Sequence, residues 1–253
     1  REHRQRAELE YSCRAYASAE ASCWQAFRSV AQAIDAGGGP GSSQRAATDS
    51  SARFDVAPRE TAVRSLEKGH AAINEASDFV GPYAGDQLAV ARLARAHATP
   101  VIRQTLPAIA ETSLAGTNLP TATEAIDRYL DYARGQLAVL ASASPDAAAV
   151  MDLLAAIRLD RADATQLPGP TALCLRRAAV QGQSQNPTLA KRLGLQLAAA
   201  GLTHEARWAL SRSLELNDDA EVRRRLAELS DHRAAPSTRL VTRPDSLARA
   251  DVG

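Results

Sequence analysis

Apolar residues recur along this chain at three- and four-residue intervals and almost nowhere alternate at period two. Over residues 1–36, Leu9, Cys13, Tyr16, Cys23, Phe27, Val30 and Ile34 fall along one stripe, which predicts helix. The small residues from Ala17 to Ala19 mark the expected turn between two helices. A long helix is expected from about Pro58, since proline suits a first turn where its missing N–H costs nothing. Ala62, Leu66, Ile73, Ala76 and Val80 keep helical spacing there, and Gly81-Pro82 ends the run. Another helix is expected from about Asp86 to His97, short of Pro100. Behind a cap at Thr121 or Thr123, Ile126, Leu130, Ala133, Leu137 and Leu140 share a face. Ser144-Pro145-Asp146 restarts the chain as a helix to about Asp163, and Leu167-Pro168-Gly169-Pro170 is a break. Helices near 171–181, 188–200, 203–216 and 220–231 follow. No segment offers a strand ladder, so the expected class is all-α.

Three stretches interrupt this pattern. Gly37 to Ser51 has linker composition. Pro107, Gly116 and Pro120 make 104–119 a long surface loop. The tail from His232, with Pro236 and Pro244, has no sustained apolar pattern. The expected organisation is therefore an N-terminal helical hairpin over 1–36, a flexible linker over 37–57, a helical region over 58–142 containing the loop 104–119, a repeat-bearing unit over 146–231 and a disordered tail over 232–253.

The repeat signal begins at Pro187. Leu193-Gly194 is followed twelve residues later by Ala206, then by Leu210 and Ser213 at intervals of four and three. Gly194 and Ala206 are small where two antiparallel helices must approach, and Leu193, Leu197 and Leu210 fill the space beside them. Gly201 ends the first helix of the pair because it takes a left-handed conformation without a Cβ clash; Thr203 is the expected cap of the second. Leu226-Ala227 then stand where Leu193-Gly194 stood, in a lone helix that ends the array. Upstream, Ala172, Arg176 and Ala179 echo the second-helix spacing, with Leu153 to Leu159 as the first helix; Ala19, Cys23 and Ala26 repeat it more faintly. This pattern resembles the tetratricopeptide repeat, a 34-residue helix–turn–helix unit, most closely over 187–231 and less closely over 146–186. It departs from that pattern at Ala190, Leu197 and Asp218, which replace an aromatic residue, a tyrosine and a proline.

The resemblance implies a right-handed helical array whose first helices line a concave surface that holds an extended peptide or a partner helix. In that register Thr188, Lys191, Leu195 and Ala198 face the groove from one repeat, and Glu221, Arg224 and Glu228 from the next. Lys191 and Arg224 are expected to stack, with Arg192 and Arg225 beside them, as receivers of an acidic or C-terminal carboxylate ligand. Leu195 stands where carboxylate-clamp members carry asparagine, and 187–231 holds seven basic and seven acidic residues, so a solvated helix face is the competing expectation. Leu193, Gly194, Leu197, Ala206, Leu210, Ser213 and Leu226 are the expected packing positions. Trp208 is expected to pack on the neighbouring repeat, and Trp24, Tyr129 and Tyr132 to serve the core.

Composition narrows the function. Of 253 residues, 54 are alanine and 4% are aromatic, which favours helices over strands. Thirty basic against 29 acidic residues leave a net charge of +1, which gives no electrostatic case for nucleic acid. No apolar run reaches membrane-spanning length, the stretch Val150 to Ile157 being cut by Asp152. Cys13, Cys23 and Cys174 have no disulfide or zinc spacing and read as reduced, buried thiols, which favours a reducing compartment such as the cytoplasm. Met151 is the only methionine, so residue 1 is not an initiator, and a targeting segment or anchor upstream stays open.

Candidate chemistry is sparse. The five histidines at 3, 70, 97, 204 and 232 show no ligand spacing. Gly37–Ser43 is followed by no lysine and forms no phosphate-binding loop, and there is no GxSxG elbow. Glu60, Glu67, Glu75 and Asp78 read as a solvated face rather than a carboxylate pair. No cofactor, metal or catalytic residue is expected. The function that fits is a protein–protein interaction scaffold or adaptor. The alternatives are a structural component held to a membrane by a missing N-terminal anchor, or an enzyme with its site in the N-terminal half, near Tyr83 to His97 and the 104–119 loop.

Overall fold

The computed structural model describes residues 2–37, 60–81, 84–101 and 119–234, the last four by backbone alone. Among them are ten α-helices and no strand: α1 (Glu2–Ser12), α2 (Tyr16–Gly37), α3 (Ala62–Ser77), α4 (Gln87–Ala96), α5 (Ala122–Ala143), α6 (Pro145–Arg161), α7 (Pro168–Gly182), α8 (Pro187–Ala199), α9 (Thr203–Leu216) and α10 (Ala220–Ala234). The fold is an all-α helical array. The helices pack as contacting pairs, α1 with α2, α3 with α5, α6 with α7 and α8 with α9, and α10 rests on α9. Two longer-range contacts join the halves: α2 lies on α6, and α5 on α7. The expected linker residues 38–57, most of the 104–119 loop and the tail beyond Ala234 lie outside the described residues.

Most helix starts follow from local chemistry. The Thr121 side chain accepts from the Glu124 amide while Glu124 reaches back to the Thr121 amide, a complete capping box. Ser144 caps α6 and Asn186 caps α8, each followed by proline at the first helical position. Asp86 caps α4, and Gly201, at φ +76°, ends α8.

Several boundaries differ from the expectation: α3 starts at Ala62 behind a Thr61 cap rather than near Pro58, α2 takes in Gly37, and α10 runs on to Ala234. The first hairpin turns at Cys13–Ala15, not at Ala17–Ala19, and Arg14 there takes φ +59°. The break ends the single stripe: Cys23 and Phe27 are fully buried, whereas Leu9 is 65% exposed and Cys13 is also exposed. The helix containing Ile73 stops at Ser77, which leaves Val80 exposed beyond it. The break expected at Leu167–Pro170 falls earlier, at Ala162–Leu167: those two residues adopt left-handed conformations around a short 3-10 turn, and α7 already starts at Pro168. Thr203 does not cap α9, because it is already helical and its hydroxyl donates to the Gly201 carbonyl.

The core is built from leucines set among alanines. Tyr129, Phe27, Leu137, Leu140, Met151, Leu154, Ile157 and Leu175 are wholly buried, and Ala133, Ala141, Ala155, Ala178 and Ala179 between them show no exposed surface. Small side chains let the helices approach closely enough for the few large ones to interdigitate. A buried ionic link ties α2 to α6: Glu20 receives Arg158, whose side chain is 6% exposed, and Arg161 at 3.1 Å.

Candidate functional site

The residues that repeat register sends to a groove, or sets beside it, separate into two groups. Thr188 and Arg192 of α8 line a cleft of about 650 Å³. Its floor is Ala149, Leu153 and Ala156 of α6, spaced so that they share one helix face. Glu8 and Tyr11 of α1 form the opposite wall.

Asp152 lies at the base of this cleft with its side chain 3% exposed. Arg176 of α7 donates to it through Nε at 3.1 Å and also donates through Nη1 to Gln196 at 2.8 Å. Arg192 donates to the other carboxylate oxygen. One carboxylate between two guanidiniums leaves one positive charge over the three groups, and it is available at the rim, where the Arg192 side chain is 54% exposed. Across the cleft Tyr11 donates to Asp160 at 2.6 Å. Burial, and then this hydrogen bond to a carboxylate, push the phenol up to about 12, so the Tyr11 hydroxyl stays protonated as a fixed donor.

The second group belongs to helix junctions. Lys191 donates to Asp219 at 2.8 Å and lies 2.6 Å from a Glu221 carboxylate oxygen. Those two hydrogen bonds hold its ammonium above the ordinary lysine range, and Lys191 in turn holds Asp219 below the usual carboxylate range. Asp219 also caps α10 by accepting from the Glu221 and Val222 amides. Lys191 is therefore engaged in fastening α8 to α10, in place of the expected open pair with Arg224. Arg224 is exposed, 3.8 Å from Glu228, and Arg225 donates to Glu228 at 2.8 Å. Leu195 and Ala198 are half-buried against the core, as is Leu226.

The expected packing residues meet at one interface. Leu193, Leu197, Ala206 and Leu210 are buried, and Ser213 donates to the Pro187 carbonyl at 2.9 Å. Gly194 faces Leu210 directly. Trp24 and Tyr129 are buried and Tyr132 half-buried, but Trp208 is 62% exposed rather than packed on a neighbour. Asp152, Arg176 and Tyr11 were not among the expected site residues. The available signal was Asp152 itself, a lone acid in the apolar run Val150 to Ile157.

Two further polar clusters lie elsewhere. His70 stacks on Trp24 with ring centroids 3.8 Å apart. Burial first, then Arg158 and Arg28, hold its imidazole below the ordinary histidine range. At the end of α4, His97 Nδ1 lies 3.0 Å from the Tyr129 hydroxyl and its Nε2 lies 3.3 Å from Asp78. Tyr129 is wholly buried and His97 nearly so, whereas the Asp78 side chain is exposed; the trio fastens the ends of α3 and α4 to α5. Glu75 accepts from the Ala98 and Thr99 amides beside it, and Glu60 pairs with Lys68. Glu60, Glu75 and Asp78 are thus each engaged by a different partner. Cys23 and Cys174 are buried, and burial pushes each thiol up to about 12; Cys13 departs from the expectation in being exposed. Among the described residues no group of side chains is arranged to hold a metal ion, and no helix is long and apolar enough to cross a membrane. No family model matches the chain, and no curated protein or solved structure matches it.

Proposed function

We propose that this protein is a protein–protein interaction scaffold, not an enzyme, and that the cleft between α1, α6 and α8 takes an extended peptide or a partner helix. The observation that supports this most is the position of Thr188 and Arg192. Tetratricopeptide register directs Thr188 toward a groove and sets Arg192 beside it, and both line one cleft with apolar residues of α6 and a cation at its rim. Asp152 and Arg176 hold Arg192 in place, so little side-chain freedom is lost when it meets an acidic group on a partner. The neutral balance of the rest of the chain keeps long-range attraction weak, which suits recognition by shape and a few polar contacts.

Affinity capture with wild type, Arg192→Glu, and Lys191→Glu/Arg224→Glu tests this. A partner retained by wild type and by the double variant, but lost by Arg192→Glu, is the expected result. Retention by all three proteins places binding outside the cleft.

A further inference from the structure

The wall of the cleft formed by α1 is held far less firmly than the other two. Ala7 is the one residue of α1 that is buried. The helix meets α6 through polar contacts, Arg4 to Asp146 at 3.1 Å and Tyr11 to Asp160 at 2.6 Å. Its side-chain ties to α2 are the Glu10–Ser22 hydrogen bond and the tilted contact between Tyr11 and Tyr16. Two cavities border it. One is the cleft beside Glu8 and Tyr11; the other, of about 470 Å³, lies beside His3 and Arg4 and runs along Val30 and Ile34 of α2 to Val150 of α6.

An isolated helix of this length is marginal in water, so docking is what keeps α1 helical. Its anchors are the buried Ala7 methyl, the half-buried Tyr11 ring, the Glu10–Ser22 bond and partly exposed ion pairs, a smaller buried surface than the one that holds α2. The connection at Cys13–Ala15 contains Arg14 in a left-handed conformation, an uncommon state for a residue with a Cβ. By contrast α2 buries Ala19, Ser22, Cys23, Trp24, Ala26, Phe27 and Ala31 and carries Glu20 into the buried link with Arg158. The boundary between fixed and loosely held structure therefore falls at Arg14.

We propose that α1 is a displaceable arm that gates the cleft. It leaves α6 by local opening about Arg14, which joins the two flanking cavities along the outer face of α6. While docked, it covers the part of α6 that continues the surface formed by Thr188 and Arg192. The gating role rests on the cleft being a binding surface, but the opening itself is a property of the chain alone.

Hydrogen–deuterium exchange on the full chain at neutral pH tests it. Amides of α1 are expected to exchange about 100-fold faster than those of 19–31 and 148–160, as local opening requires. Tyr11→Phe with Asp146→Asn is expected to speed exchange in α1 several-fold further and leave α6 to α9 unchanged. Exchange in α1 as slow as in α6 overturns the arm, as does a double variant that folds but leaves α1 unaffected. If the double variant does not fold, the wild-type comparison alone decides. Slow exchange in α1 leaves the scaffold proposal standing, whereas binding indifferent to Arg192→Glu defeats that proposal without touching the arm.

Discussion

Gly194 on α8 stands against Leu210 on α9 with no room for a methyl group: a Cβ at position 194 would lie 2.7 Å from the Leu210 side chain and 3.1 Å from its amide nitrogen. Gly182 on α7 is tighter in kind, since a Cβ there would come within 2.5 Å of the Ala141 carbonyl carbon and the Ser142 nitrogen. Leucine can shift a methyl group, but the backbone of α5 cannot give way without moving the helix.

Gly194→Ala therefore combines overpacking of about 1–3 kcal/mol with a gain of about 0.5–1 kcal/mol from replacing a mid-helix glycine. A net loss of about 1 kcal/mol is expected in urea denaturation. Gly182→Ala, at the last residue of its helix, has less helical gain and a harder clash, and about 3 kcal/mol is expected. A Gly194→Ala protein more stable than wild type contradicts the close approach of α8 and α9.

Asp152 and Arg192 contribute unequally to the pair they form. Asp152→Ala leaves Arg176, whose side chain is 13% exposed, without its carboxylate, and breaking a buried pair in this way costs about 3 kcal/mol. Arg192→Ala leaves Asp152 paired with Arg176 and removes a solvated partner, so the loss is expected to stay under about 1 kcal/mol. Thermal and urea unfolding of both variants check the contrast. Equal losses show that Arg192 is a structural strut rather than a group available at the cleft rim.

The stacked His70 makes stability depend on pH. Its folded value lies below the ordinary one, so the unfolded chain takes up a proton first as pH falls. Its contribution is complete above about 6.5, the ordinary histidine value, and is lost progressively as pH falls from there toward the lower folded value. Denaturation midpoints measured between about pH 7.5 and pH 5 should fall with acidification, and His70→Phe should flatten that slope. A slope unchanged in the variant assigns the effect to other groups.

The helices are legible in the sequence because their starts carry Thr121, Ser144, Asn186 and Asp86 as caps and their faces keep helical spacing. The packing of α8 on α9 is legible for the same reason, since Gly194, Ala206 and Leu210 are local to one hairpin. The cleft is not. It needs α1 beside α6, a contact between Tyr11 and Asp160 that spans 149 residues, and no spacing rule reaches that far. Lys191 illustrates the opposite error. Its register points to a groove, yet Asp219, at the start of α10, lies within hydrogen-bond reach and takes the charge. Trp208 shows that an aromatic on a repeat helix packs only where another helix covers it, and α10 lies elsewhere on α9.

Photo-crosslinking most directly tests the cleft as a partner-binding surface. A benzophenone residue at Thr188 is compared, in native extract, with one at the exposed Glu215 of α9. A discrete adduct formed from position 188, absent from position 215 and abolished by Arg192→Glu, is the predicted result. No adduct from position 188, or one that survives Arg192→Glu undiminished, contradicts it.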